Sequence, residues 1–213
     1  MKQIQPDLWQ TETENPLPGL TTHAYLLTRD DGNVLFYNTS HQHEIDNMAE
    51  LGGVAYQFLS HQDELGETLK LIREQFGARL GGHVKELAKF TPICTPDILF
   101  DKREVQLGNI EVIPTPGHTP GSTCFLVESP QGKRYLFTGD TLYLGKDGTW
   151  QAGFISGYSD RDTLVESLKI LRYFEPDVVL SSAFGGDPGF QEMLRTDWCG
   201  HVDRAREKLV DQK

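Results

Sequence analysis

The sequence predicts a mixed α/β (α+β) fold, formed as one domain over residues 1–213, in which two β-sheets are covered by helices. Three observations point there. Apolar runs of strand length open each half of the chain. Strands then alternate with amphipathic helical patterns within each half. No repeat, low-complexity tract or linker divides the two.

The elements justify this in order. Residues 2–9 and 21–28 have strand character, Asp30-Asp31-Gly32 is a hairpin turn, and Val34-Leu35-Phe36-Tyr37 returns from it. A polar helix follows to Leu51, stopped by Gly52-Gly53, and 54–59 is a short apolar strand. Leu65, Leu69, Ile72 and Phe76 recur at helical spacing, so a helix ends at Gly77. From Leu80 to Gly108 the pattern gives a short strand, a helical turn over 84–88 and proline-rich loop. Strands at 109–114, 122–128 and 134–139 come next, with a turn at 129–132. Residues 145–158, rich in glycine and aromatics, read as a long loop whose Trp150, Phe154 and Tyr158 either cover a site or pack on the core. Leu164, Leu168 and Leu171 mark a helix, 177–181 a strand, and a last helix runs from about Phe190 to Val210.

Charge and cysteine usage narrow the function. Thirty-one acids against twenty Lys and Arg give a net charge of −11 with no basic cluster, which argues against nucleic-acid and anionic-membrane partners and leaves a small-molecule substrate. The amino terminus has no apolar signal region, and no run approaches a membrane span. Cys94, Cys124 and Cys199 are widely spaced and odd in number, as expected of reduced thiols in a cytoplasmic protein; Cys124 lies in a strand pattern and reads as core. Nothing in the chain specifies an oligomeric state.

One stretch has no bland explanation. In Thr115-Pro116-Gly117-His118-Thr119-Pro120-Gly121-Ser122, prolines fix φ and glycines admit positive φ, so a stiff turn between two strands presents one imidazole. Three further stretches follow strands: Leu59-Ser60-His61-Gln62-Asp63-Glu64, Thr138-Gly139-Asp140-Thr141-Leu142 and Ser181-Ser182-Ala183-Phe184. Strand ends are where open sheets carry ligands.

Together and in this order, these stretches resemble the metallo-β-lactamase superfamily, over essentially the whole chain. The resemblance implies a four-layer αββα sandwich. It also exposes departures. Laid on the family's His-x-His-x-Asp-His motif, the chain has Leu59 at the first histidine and Glu64 at the last. The family's final histidine falls at Ala183-Phe184, and Asn38 stands where an aspartate is usual. His61, His118 and Asp140 remain, with Asp63 and Glu64 beside them.

By this resemblance His61, His118, Asp140, Asp63 and Glu64 are the candidate metal ligands, Asp63 also being the candidate general base and Glu64 equally a helix-start acid. Two imidazoles with carboxylates suit one divalent metal with open positions, zinc first, with iron(II) and manganese also compatible. The implied activity is hydrolysis of a small ester, thioester or lactone by metal-bound hydroxide. Two other readings stay open: a mononuclear-iron dioxygenase-type relative, and a degenerate member that binds a ligand or partner without catalysis. The chain ends at Lys213 soon after the core, which tells against glutathione thioesters as substrates. His23, His41, His43, His83 and His201 read as surface, cap or site-edge residues and are not entered as ligands.

Overall fold

The computed structural model of the protein describes residues 1–186, 188–194 and 196–211. Strands β1 (Lys2–Gln5), β2 (Leu8–Gln10), β3 (Glu14–Leu17), β4 (Leu20–Thr22), β5 (Tyr25–Leu27) and β6 (Val34–Phe36) precede helix α1 (Gln42–Glu50). Then come β7 (Tyr56–Phe58), a 3₁₀ turn over Gln62–Glu64, α2 (Thr68–Phe76), β8 (Arg79–His83), α3 (Leu87–Phe90), β9 (Ile98–Phe100) and β10 (Glu104–Gln106). The second half contains β11 (Ile110–Pro114), β12 (Thr123–Glu128), β13 (Arg134–Gly139), β14 (Leu142–Leu144) and β15 (Trp150–Ala152). It closes with α4 (Arg161–Leu171), β16 (Val178–Ser181), β17 (Ala183–Phe184), β18 (Phe190–Glu192) and α5 (Trp198–Asp211).

Two large sheets result. One runs β1-β2-β5-β6-β7-β8-β9 and the other β10-β11-β12-β13-β16-β18, while β17, β4 and β3 form a small sheet beside them. Side-chain alternation explains the layering. Tyr25, Leu27 and Phe36 of the first sheet face Phe125, Phe137 and Leu180 of the second in one buried cluster, and the Phe36 and Phe137 rings stack at 3.9 Å. The intervening Leu26 and Leu35 point the other way, against Ile45 and Met48 of α1 and Ile72 of α2. Leu126, Leu136 and Val179 likewise turn outward onto Leu164 and Leu168 of α4 and Val202 and Leu209 of α5. Strands buried on both faces between helical layers make the expected αββα sandwich. No described helix is long and apolar enough to cross a membrane.

Several boundaries move. The span 21–28 is broken at His23-Ala24, so that β4 pairs with β17 and β5 with β2. The proline-rich middle contains two strands, β9 and β10, that extend the sheet edges. Residues 142–152 fold as the hairpin β14–β15. The last helix begins at Trp198, because Phe190–Glu192 pairs with β16 as an edge strand instead. Arg195, inside that predicted helix, and residues 212–213 lie outside the described residues. All three cysteines are free thiols, and burial pushes the Cys124 thiol up to about 12, as suits a core residue.

Candidate metal centre

The candidate residues reach one place from three strand ends. His61 follows β7 and opens the 3₁₀ turn that carries Asp63; His118 tips the β11–β12 loop; Asp140 follows β13. The Nε2 of His61 lies 3.7 Å from Asp63 Oδ2 and 3.5 Å from Asp140 Oδ2. The Nε2 of His118 lies 3.4 Å and 3.7 Å from the same two oxygens. One ligand atom from each of His61, Asp63 and His118 falls within 4.8 Å of the others.

Hydrogen-bond accounting fixes both rings. His118 Nδ1 donates to the Gly153 carbonyl at 2.6 Å, so the neutral ring presents a lone pair at Nε2. Ser60 Oγ donates its one proton to Glu64 Oε1 at 2.5 Å and therefore accepts from His61 Nδ1 at 2.8 Å. His61 Nε2 is thereby also left facing the site. Both Nε2 atoms are buried without a hydrogen-bond partner, which in a packed interior is costly unless a cation completes the arrangement.

The electrostatics agree. Burial opposes a charge on His61, but the Asp140 and Glu64 carboxylates outweigh it and raise its pKa well above the imidazole range. A field that favours a proton on Nε2 also favours a metal cation there. Partial burial of Asp63 opposes its charge, yet the neighbouring His118 ring, the Tyr158 hydroxyl and the His61 ring outweigh that burial and hold its pKa at about 2. Burial likewise opposes ionisation of Asp140, and His61 outweighs it, so its pKa is lowered. The remaining oxygens are spent: Tyr158 donates to Asp63 Oδ1 at 2.6 Å, and the Ala183 N–H to Asp140 Oδ1 at 3.0 Å. Ala183, where the resemblance puts the family's last histidine, thus contributes backbone to the site.

The structure separates the remaining predicted residues. Glu64 lies on the Nδ1 side of His61, away from Asp63 and Asp140, and accepts from the Ser60 N–H at 2.7 Å. Leu59 is buried against Leu69, Leu80, Phe90 and Cys94. Leu59 therefore points away from the site that His61 and Asp63 face. His23 stacks on Phe184 at 4.8 Å, His43 Nε2 meets Glu12 at 3.1 Å, and His83 caps its turn by accepting the Lys85 N–H at 3.2 Å. Trp150 is core, packed on Trp198, while Phe154 lines the cavity.

Two supporting residues carry no signal in the sequence. Glu86, from the turn before α3, accepts from the Thr119 hydroxyl and from the Gly121 N–H at 3.1 Å, which pins the His118 loop to the opposite sheet. Gly153 anchors His118, and a Cβ there would lie 1.7 Å from the Asp140 carbonyl oxygen. The same loop is held from α4: the Asp160 N–H reaches the Gly117 carbonyl at 2.8 Å, and Ser167 Oγ reaches that of Pro116 at 2.6 Å. Gly117 has φ of +139°, and a Cβ there would meet the Leu164 Cα at 2.4 Å.

The centre opens into a cavity of about 820 Å³, large enough for a small organic ligand. Leu17, Leu20, Leu65, Phe154, Ile155 and Phe184 give it an apolar wall.

A family model of the metallo-β-lactamase superfamily matches residues 56–182. The chain is 36% identical over 95 residues to a hydroxyacylglutathione hydrolase of Anaeromyxobacter dehalogenans, covering 44% of this chain and 34% of that one. It is 27% identical over 141 residues to an uncharacterized protein of Aquifex aeolicus, covering 62% and 61%. The matches thus span less than two thirds of these curated relatives, 61% of one and 34% of the other. A metallo-β-lactamase from Pontibacter korlensis shares the fold, with a TM-score of 0.75 at 19% identity over 99% of this chain and 98% of that one. The matched segment carries His61, Asp63, His118 and Asp140 at the strand ends described above, and the chain belongs to the metallo-β-lactamase superfamily.

Proposed function

We propose that the protein hydrolyses a small ester, thioester or lactone with one divalent cation held by His61, Asp63 and His118, and with Asp140 beside it. The observation that carries this reading is the convergence of two partnerless buried Nε2 atoms with two carboxylate oxygens at the wall of the cavity. The donor set fits the group: imidazole nitrogens and carboxylate oxygens suit zinc, and also iron(II) or manganese. Similarity to a hydroxyacylglutathione hydrolase supports the hydrolytic class.

When bound, such a cation polarises a carbonyl and lowers the pKa of a coordinated water toward ~7. The chain's own residues do the rest. Ser60 with Glu64, and the Gly153 carbonyl, fix the two imidazoles so that no reorientation is needed on binding. Asp63, held at about 2, stays ionised at neutral pH. That suits a ligand or an acceptor that orients water better than a group that carries protons. Tyr158 restrains its other oxygen, and Phe154 and Phe184 exclude bulk water from one side.

The test is hydrolysis of chromogenic esters, thioesters and lactones by full-length protein loaded with each of the three metals. Activity should require metal and fall to background in folded His118→Ala. Full activity in metal-free protein would end the reading.

A further inference from the structure

We infer that the acyl arm of the substrate is apolar and carries no negative charge. This deepens the hydrolytic reading above and rests on it. Among the described residues that line the cavity there is no lysine or arginine, whereas five carboxylates do line it: Glu14, Asp63, Glu64, Glu67 and Asp140. A divalent cation offsets two of these five charges and leaves a formal excess of three negative charges around the bound arm. Cations do stand next to lining residues without lining the cavity themselves, among them Lys146 against Gly185 and Lys208 beside Tyr143 and Phe154. Lys70 sits 3.3 Å from the exposed Glu67, and Arg161 stacks over Phe154, 4.6 Å from its centroid. Glu14 is not free to swing away, because the Ser40 N–H donates to both its oxygens at 3.0 Å.

A carboxylate on the substrate would therefore lose hydration, find no counter-charge and meet repulsion from a fixed acid. A hydrocarbon arm meets Leu17, Leu20, Phe154, Ile155 and Phe184, where leaving water is favourable. The cavity thus selects by what it lacks as well as by what it offers.

The test uses two esters of equal length: p-nitrophenyl hexanoate and mono-p-nitrophenyl adipate, in which a terminal carboxylate replaces the methyl group. The neutral ester should show kcat/KM about 100-fold higher, since the site leaves the added charge unpaired. Leu17 is 62% exposed at the rim, so Leu17→Lys should fold and should narrow that ratio by about 10-fold. Equal turnover of the two esters, or preference for the adipate, would overturn the inference and leave the hydrolytic reading intact. If neither ester is cleaved, the thioester and lactone assays above decide the hydrolytic reading, and calorimetric binding of hexanamide against adipamate decides the inference. Binding of hexanamide alone supports it; equal binding of both, or of neither, overturns it.

Discussion

Substituting Gly153 by alanine tests how the centre is held. The Gly153 carbonyl accepts from His118 Nδ1 at 2.6 Å, and a Cβ at this position would lie 1.7 Å from the Asp140 carbonyl oxygen and 3.3 Å from His118 Nδ1. Real Cβ contacts essentially never fall under 3.0 Å, so the 140 and 153 backbones must part by about 1.3 Å. Metal–ligand distances tolerate only about ±0.2 Å. The displacement is several times larger, and it strikes the anchor of one ligand and the main chain of a neighbouring carboxylate together. Gly153→Ala should therefore lower metal affinity by at least 10–100-fold, the usual cost of losing one supporting contact to a ligand. Overpacking at the hairpin end should cost about 1–3 kcal/mol of stability, leaving the protein folded. Gly148→Ala is the control, because its Cβ meets nothing within 4 Å although its φ of +73° strains the same hairpin. Competition with a chelator measures affinity, and urea unfolding measures stability. Wild-type affinity in Gly153→Ala, or equal loss in both variants, would refute the reasoning.

Two other perturbations follow from the same structure. Glu86→Ala leaves the buried Gly121 N–H without its acceptor and the Thr119 hydroxyl with Ser122 Oγ as its remaining partner, which should cost about 1–3 kcal/mol in urea unfolding. Glu86→Gln keeps an acceptor oxygen and should restore most of that loss; equal destabilisation by both would show that the charge, not the acceptor, holds the loop. His83 titrates in the opposite sense to a paired histidine: burial and Lys85 depress its pKa, so the folded state resists a proton that the unfolded chain accepts near 6.5. Its contribution is full above pH 6.5 and is lost as pH falls below that value. His83→Asn retains an acceptor for the Lys85 N–H and should flatten the fall in unfolding free energy between pH 6.5 and 5; an unchanged slope would count against it.

How much of this was legible depended on whether a signal was local. β6, β11, β12, β13 and β16 were readable because strands buried on both faces give continuous apolar runs, as in Val178-Val179-Leu180. β9 and β10 were missed: short edge strands in proline-rich sequence have little apolar pattern to offer. The β14–β15 hairpin hid behind glycines that only its pairing explains. At the centre, His118 and Asp140 announce themselves through the glycine turns that present them. In the first motif His61 and Asp63 were also readable as candidates, and the structure brings both to the His118 loop while Leu59 packs beside Phe90. Glu86 and Gly153 act across about thirty-five residues of sequence, on Gly121 and His118, through contacts that exist only after the sheets have met.

The central claim is that a single cation site is built from His61, Asp63 and His118, and metal content measures it most directly. Elemental analysis of tag-free protein should give about one divalent metal per chain, and folded His61→Ala, Asp63→Ala and His118→Ala variants should each lose it. Two metals per chain, or full retention in any of the three variants, would contradict the account.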